Sequence, residues 1–170
     1  MAPPVDARPS CAVFDVDGVL ADVRHRLHHL ERRPKDWGAF FGAMSEDPPL
    51  AQGIEMAREE AAHCSRVVYL TGRNERYRQQ TTAWLTEQGC PRGQLVMRPD
   101  HDRRPARFFK PEALRRLATG LDVTVVVDDD EAVVTVLRAA GWNVVHATWM
   151  PESAPEQQTL FGAQETEGRT

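Results

Sequence analysis

The chain has 170 residues, of which 41% are hydrophobic and 27% are charged. This length fits one domain with its own core, and the composition excludes wholesale disorder. A formal net charge of −4 argues against a globally basic nucleic-acid binder, and no apolar run is long enough to cross a bilayer.

Buried strands and helices alternate along the chain between a polar, proline-rich start, residues 1–10, and a polar end, residues 151–170. Predicted strands are short apolar or β-branched runs, and predicted helices have apolar residues at helical spacing or glycine and proline at their boundaries. In chain order they are strand 11–14, helices 37–44 and 50–63, strand 67–70, helix 77–88, strand 94–97, helix 111–119 with its proline at the start, strand 123–127, helix 131–140 and strand 143–146. We expect a flexible start, a folded domain over residues 11–150 and a disordered tail.

The N-terminus has no basic region followed by an apolar stretch, and so no secretory signal is visible. Cys11, Cys64 and Cys90 are odd in number and widely spaced, without a Cys-x-x-Cys motif. This pattern disfavours a disulfide framework or a zinc ribbon, and it predicts reduced thiols in a cytoplasmic protein.

The alternation of strands and helices predicts an α/β fold, in which a Rossmann-like parallel sheet of about five strands carries helices on both faces. In such sheets, ligands bind at the carboxyl ends of the strands. Here those ends carry chemically active side chains: Asp15 and Asp17, then Thr71, then Asp128 and Asp129.

Asp15 and Asp17 are two residues apart, so that on a strand both side chains point to one face. Taken alone, Asp-x-Asp-Gly is equally compatible with a simple Asx turn. A second acidic pair at another strand end favours a functional site, because crowded carboxylates are costly unless a cation neutralises them. A divalent metal with oxygen ligands, above all Mg²⁺, meets that need and also binds substrate phosphate.

Four segments in this order resemble the motifs of the haloacid dehalogenase superfamily of phosphohydrolases, over roughly residues 11–150. They are Phe14–Leu20, Tyr69–Arg73, the lone Lys110 and Val127–Asp129. The residues between the first two motifs are too few for a large cap domain, which favours an open site and a bulky substrate. Alternatively, the predicted helix over 37–44 folds over the site as a small lid.

A closer resemblance is to the phosphatase domain of polynucleotide kinase–phosphatases and to the small phage and bacterial phosphatases like it. It rests on Gln80–Leu85, on Leu95–Pro99, and on Val133 and Leu137 after the fourth motif. The sequence has no Gly-x-x-x-x-Gly-Lys-Ser/Thr motif, and so we expect no kinase half here.

The resemblance implies a two-step phosphoryl transfer. Asp15 would attack phosphorus and form an aspartyl-phosphate. Asp17 would protonate the leaving oxygen and later activate water. Thr71 would bind a phosphoryl oxygen, and Lys110 would offset charge on the phosphoryl group and the nucleophile.

The same resemblance implies a bound Mg²⁺ ion. Its ligands would be Asp15, the backbone carbonyl of Asp17, and the acidic pair of the fourth motif. Of that pair, Asp129 is the favoured direct ligand and Asp128 its support, although the sequence leaves this choice open.

Gly72, Arg73, Arg98 and Arg104 are the predicted substrate-binding residues, because arginine suits the forked geometry of phosphate. Except for Arg73, which belongs to the second motif, these arginines are equally compatible with solvated loop positions in an arginine-rich chain. The aromatic cluster Trp37, Phe40 and Phe41 is compatible with base stacking, but its helical spacing favours core packing.

The tail contains Gln157, Leu160 and Phe161, which resemble the Gln-x-x-Leu-Phe peptide by which bacterial DNA-repair and replication proteins dock on the sliding clamp. A disordered tail suits such a peptide. A chance occurrence is the competing interpretation, since five residues form a short pattern.

These observations predict a Mg²⁺-dependent phosphatase that acts on nucleic-acid ends, first of all 3′-phosphate ends, or on nucleotides. A (deoxy)nucleoside 5′-monophosphatase is the alternative with the same chemistry. The acidic charge balance favours that alternative, because polymer binding usually requires more positive charge. A non-catalytic phosphate-binding scaffold is a third possibility, which the presence of all four motifs disfavours.

Overall fold

The computed structural model describes residues 7–151, and the structural statements below concern that range. Five parallel strands form one sheet in the order β3-β2-β1-β4-β5. They are β1 (Ser10–Phe14), β2 (Arg66–Asn74), β3 (Gln94–Arg98), β4 (Asp122–Asp128) and β5 (Val144–His146). The predicted α/β fold with a five-stranded parallel sheet is confirmed.

Helices cover both faces of the sheet because successive side chains of a buried strand point to opposite sides. They are α1 (His28–Glu31), α2 (Trp37–Gly42), α3 (Ala51–His63), α4 (Arg78–Glu87), α5 (Ala106–Leu117) and α6 (Glu131–Ala139). Ala12 and Phe14 of β1 share one buried cluster with residues of α3 and α4. Cys11 and Val13 share the other with residues of α5 and α6.

The segment between β1 and α3 forms a small helical insert rather than a large cap. It contains α1, α2 and two short 3-10 helices, Arg24–Arg26 and Ala43–Glu46. Its own apolar cluster includes Leu27, Phe40 and Phe41, which are almost fully buried. Helical spacing thus predicts correctly that these two phenylalanines pack in a core, whereas Trp37 of the same helix stays partly exposed.

Two predicted boundaries are wrong. Helix α5 begins at Ala106, five residues before the predicted start, with Pro105 at its N-cap and Pro111 inside it. As the sixth residue of the helix, Pro111 removes one helical hydrogen bond and crowds the carbonyl of Arg107, and the helix continues because its residues are packed in the core. Strand β2 does not break at Thr71 but continues to Asn74, with a register shift against β3.

Between residues 7 and 151, no helix combines the length and the apolar character that a membrane span requires. The predicted clamp-binding peptide with Gln157, Leu160 and Phe161 lies outside the described residues, as does most of the tail. Docking on a sliding clamp therefore stays a sequence prediction.

Candidate active site

The order of the strands brings the predicted catalytic residues together. β2 and β4 both pair with β1, so the carboxyl ends of three adjacent strands meet at one edge. Asp15 follows β1, Thr71 lies near the end of β2, and Asp128 ends β4. The backbone N–H of Asp15 donates to the carbonyl of Val127 at 2.9 Å, which extends the pairing into the site.

Lys110 lies at the centre of this group. Its Nζ atom donates to Oδ2 of Asp15 at 2.7 Å and to Oδ2 of Asp128 at 2.6 Å, and its side chain is buried. Burial alone would lower the pKa of this lysine, but the two carboxylates raise it above its ordinary value. The early start of α5 explains how a residue predicted to precede a helix reaches the sheet edge.

Asp129 differs from its neighbour Asp128. Both oxygens of Asp128 have partners, because Oδ1 accepts from the N–H of Asp130 and Oδ2 from Lys110. Both oxygens of Asp129 are buried and have no hydrogen-bond partner in the described part of the chain. Unsatisfied buried carboxylate oxygens are costly and indicate a ligand.

Gly18 allows Asp129 to occupy this position. Its φ of +77° is a conformation that glycine adopts without strain, and a Cβ atom there would lie 1.8 Å from Oδ2 of Asp129. Glycine at position 18 is therefore needed for two reasons. It allows the turn after β1, and it leaves space for the carboxylate of Asp129 in the fourth motif.

The acidic cluster formed by Asp15, Asp128 and Asp129 has the composition of a metal site. One oxygen from each carboxylate can be chosen so that all lie within 4.8 Å of one another. Burial and the neighbouring negative charges raise the pKa of Asp15 to about 7, despite Lys110, and raise that of Asp129 well above its ordinary value. A hard divalent cation such as Mg²⁺ fits these oxygen donors and would remove the repulsion.

Asp17 lies in a separate buried network, the Asp17–Asp47 network, which also contains Arg26 and Arg73. Oδ1 of Asp17 accepts from Nη2 of Arg73 at 2.6 Å and from Nη2 of Arg26 at 2.9 Å. Asp47 accepts from both arginines as well, at 2.7 to 3.0 Å. Although burial opposes it, the two guanidinium groups hold the pKa of Asp17 below its ordinary value.

Arg26 and Asp47 are the main site residues that the sequence analysis missed. Both are buried, and they belong to the helical insert, outside the four motifs. His25 and Trp84 also contact Asp47, through its carboxylate and its backbone carbonyl respectively. Burial of an arginine can be predicted from a sequence only when its carboxylate partners are known. The partners of Arg26 are Asp17 and Asp47, which lie 9 and 21 positions away, and no helical or strand spacing links them to it.

The charges of the two groups do not balance. Five buried carboxylates, Asp15, Asp17, Asp47, Asp128 and Asp129, face the three permanent cations Arg26, Arg73 and Lys110. The five carboxylates outnumber these three cations, and the oxygens of Asp129 receive no hydrogen bond from any described residue. This imbalance is a second feature that fits a bound metal.

The remaining predicted binding residues have different environments. Thr71 is fully buried, and its Oγ1 accepts from the N–H of Arg73 at 3.2 Å. Arg98 is buried and donates to the carbonyls of Gly72 and Arg104, and burial lowers its pKa to about 10. Arg98 therefore fixes the backbone at Gly72, in the second motif, relative to the loop at Arg104.

Arg104 is not joined to the acidic cluster. Its side chain is about half exposed and forms ion pairs with Asp102 and Glu112 at 2.7 and 2.6 Å. These bonds raise the pKa of Arg104. The structure thus brings Asp15, Asp128, Asp129 and Lys110 together but leaves this arginine on the surface.

Several solved structures share this fold. A Pnkp1/Rnl/Hen1 RNA repair complex contains a chain with a TM-score of 0.69 and 20% identity, matched over 85% of this chain and 44% of that one. A class C acid phosphatase from Bacillus anthracis with tungstate bound gives a TM-score of 0.62 and 10% identity, over 95% and 82%. A haloacid dehalogenase-like hydrolase from Streptococcus pneumoniae gives 0.58 and 15%, over 93% and 92%.

Each of these identities is below 25%, and so the three structures show the fold alone. This chain also spans less than half the length of the chain from the repair complex. No curated protein sequence matches it. The sequence does match the family of polynucleotide kinase PNKP phosphatase domains over residues 9–148, which include all four motifs. The chain therefore belongs to this family, and it is a phosphoric monoester hydrolase of the haloacid dehalogenase type.

Proposed function

We propose that this chain is a Mg²⁺-dependent phosphatase that removes 3′-phosphates from nucleic-acid ends, through one domain spanning residues 11–150. The observation that carries the proposal is the position of Asp15. Its Oδ2 atom is held by Lys110, beside a carboxylate, Asp129, whose oxygens have no partner in the described part of the chain. A nucleophile next to a cation and a metal site is what phosphoryl transfer requires.

In the first step, Oδ of Asp15 would form a bond to phosphorus while the ester oxygen leaves. Asp17 would give that oxygen its proton. In the second step, Asp17 would take a proton from water, whose oxygen attacks the aspartyl-phosphate and releases inorganic phosphate. Thr71 and Lys110 would hold the phosphoryl oxygens throughout.

The contacts of Asp17 with Arg26 and Arg73 favour its ionised form, which is the form required for the second step. As proton donor in the first step, Asp17 must carry a proton. We infer that the substrate phosphate draws these guanidinium groups partly away from the carboxylate, because the phosphate is itself an anion that arginine binds well.

Mg²⁺ would be held by Asp15, by the backbone carbonyl of Asp17 and by Asp129, with Asp128 in support. The free oxygens of Asp129, compared with the fully engaged oxygens of Asp128, favour this assignment within the described range. When bound, the ion would neutralise charge on the phosphoryl group.

The family supports a nucleic-acid end as the substrate, because its members are described as phosphatase domains of polynucleotide kinase. The similar fold in an RNA repair complex is consistent with this assignment. The small helical insert, in place of a large cap, favours a bulky substrate. The net charge of −4 favours the second candidate, a (deoxy)nucleoside 5′-monophosphatase.

A phosphate-release assay with Mg²⁺ tests the proposal on 3′-phosphorylated oligonucleotides, 5′-phosphorylated oligonucleotides and nucleoside monophosphates. We expect the fastest release from 3′-phosphorylated ends, none from the Asp15→Asn variant and none after chelation of the metal. Affinity for an oligonucleotide end should fall steeply with salt. Preference for free 5′-monophosphates with little dependence on salt would instead establish the second candidate.

A further inference from the structure

A cavity of about 250 Å³ lies between the helical insert and the loops that follow β2 and β3. Its lining includes three aromatic rings, Trp37, Phe41 and Tyr77. Phe41 stacks on Trp37 and on Tyr77 with ring centroids 5.9 and 4.8 Å apart, and both pairs have an interplanar angle of 24°. Phe41 thus lies between the other two rings, tilted by 24° to each, and the three rings form one stack along a cavity wall.

The cavity is also lined by polar and charged side chains, unlike a gap in a hydrophobic core. Asn74 is half-buried, and its side-chain amide offers both donors and an acceptor. Arg76 and Arg103 are exposed at the edge of the cavity. The ion pair of Arg76 with Asp100, at 3.4 Å between exposed side chains, is too weak to prevent either from binding another group.

The cavity is within reach of the acidic cluster. Asn74 ends β2 only three residues after Thr71, and the strand is irregular between them, so at most roughly 10 Å separates the two residues. A ligand with a phosphate beside Thr71 and a ring at roughly that distance would place the ring in the cavity.

We propose that this cavity is a nucleobase subsite, in which a base of the nucleic-acid end stacks against the aromatic wall while Arg76 and Arg103 contact the backbone. This inference rests on the proposed function and names the part of the substrate that the enzyme recognises. A volume of about 250 Å³ lies just under the ~300 Å³ lower limit of drug-sized sites, and so it suits one ring system. Base stacking on aromatic side chains is tolerant of sequence, which predicts recognition of many different ends.

The test compares two short oligonucleotides that both end in a 3′-phosphate, one complete and one without the terminal and penultimate bases. Their dissociation constants are measured by fluorescence anisotropy in the Asp15→Asn background, with Mg²⁺ present and without turnover. We expect the complete end to bind about tenfold more tightly or better. In Trp37→Ala this advantage should shrink to about one, whereas Trp37→Phe, which keeps a ring, should retain most of it.

Tyr77→Leu is the second variant, in case Trp37→Ala loses the packing of the insert, and thermal unfolding monitors each protein. Equal affinity for the two oligonucleotides, or an advantage that survives both ring removals, would overturn the inference. Phosphate release from the complete 3′-phosphorylated oligonucleotide by the wild type tests the proposed function separately. Absence of phosphate release would count against the proposed 3′-phosphatase activity. The ratio of the two dissociation constants would still test whether the cavity binds a base.

Discussion

Nζ of Lys110 lies 2.7 Å from Oδ2 of Asp15, although the two residues are 95 positions apart in the chain. The same atom contacts Asp128, so one cation joins the ends of β1 and β4. The attraction is strong because all three side chains are buried, but each also loses its hydration. The position of Asp15, the proposed nucleophile, thus depends on a residue of α5.

Lys110→Met should abolish phosphate release and lower the free energy of unfolding by about 3–5 kcal/mol near neutral pH, because two carboxylates lose their buried partner. Urea unfolding measures the second effect. Lys35→Met is the matched control, since Lys35 is the only other lysine and lies in the helical insert. It should cost less than about 1 kcal/mol. Equal losses in both variants would contradict the prediction.

Metal-free protein should become less stable as pH rises from about 4 towards 7. The pKa of Asp15 is about 7 in the folded protein and near 3.8 when unfolded, so the folded state binds the extra proton in this window. The loss should be on the order of 4 kcal/mol and level off above pH 7. Asp129 contributes in the same direction.

Urea unfolding in EDTA at several pH values measures this slope. Asp129→Asn should flatten it, because the variant lacks one of the like charges. The lowered pKa of His29 acts in the opposite direction, but it affects both proteins and cancels in their difference. Saturating Mg²⁺ should remove the fall in the wild type. If neither the Asp129→Asn substitution nor Mg²⁺ changes the dependence of the unfolding free energy on pH, the acidic cluster is not its cause.

Asp129→Asn should also weaken metal binding. We expect the midpoint of the Mg²⁺-induced rise in Tm to move to at least about tenfold higher concentration, because a carboxylate ligand becomes a neutral amide. Asp122→Asn is the control, since Asp122 begins β4 at the opposite end of the strand and is exposed. Thermal shift at increasing Mg²⁺ compares the two, and an unchanged midpoint in Asp129→Asn would exclude Asp129 as a ligand.

Gly18→Ala should disrupt the site more than an ordinary glycine substitution. The new Cβ atom would meet Oδ2 of Asp129 at 1.8 Å, and alanine disfavours the φ of +77°. We expect a loss of several-fold or more in Mg²⁺ affinity, together with about 1–2 kcal/mol of stability. Gly42→Ala in α2 meets nothing within 4 Å and should be neutral or slightly stabilising. Equal Mg²⁺ affinity and equal stability of the two variants would argue against a steric conflict between a side chain at position 18 and Asp129.

The strands and the acidic cluster were predictable because their signals are local. Apolar runs mark β1 and β4, and the acids directly after them must meet at one edge of a parallel sheet. The start of α5 was not predictable from Pro111, because proline at a helix start and proline in an early turn look alike in sequence.

Arg26 and Asp47 could not be assigned for a different reason. Each is an ordinary charged residue in a segment without a motif, and its burial results from tertiary packing of the helical insert. Likewise, helical spacing explains why Phe41 is buried but does not show that Tyr77, from another part of the chain, stacks on it.

Asp47 has a consequence for attempts to exchange the insert between related enzymes. Its carboxylate satisfies two fully buried guanidinium groups, one from the insert and one from β2. A chimera that replaces residues 22–50 with a foreign segment would remove Arg26 together with Asp47 but leave Arg73 behind. Arg73 would keep its bonds to Asp17 but lose its acceptor in the insert, so a donor segment with a hydrogen-bond acceptor at the position of Asp47 should give the more stable chimera.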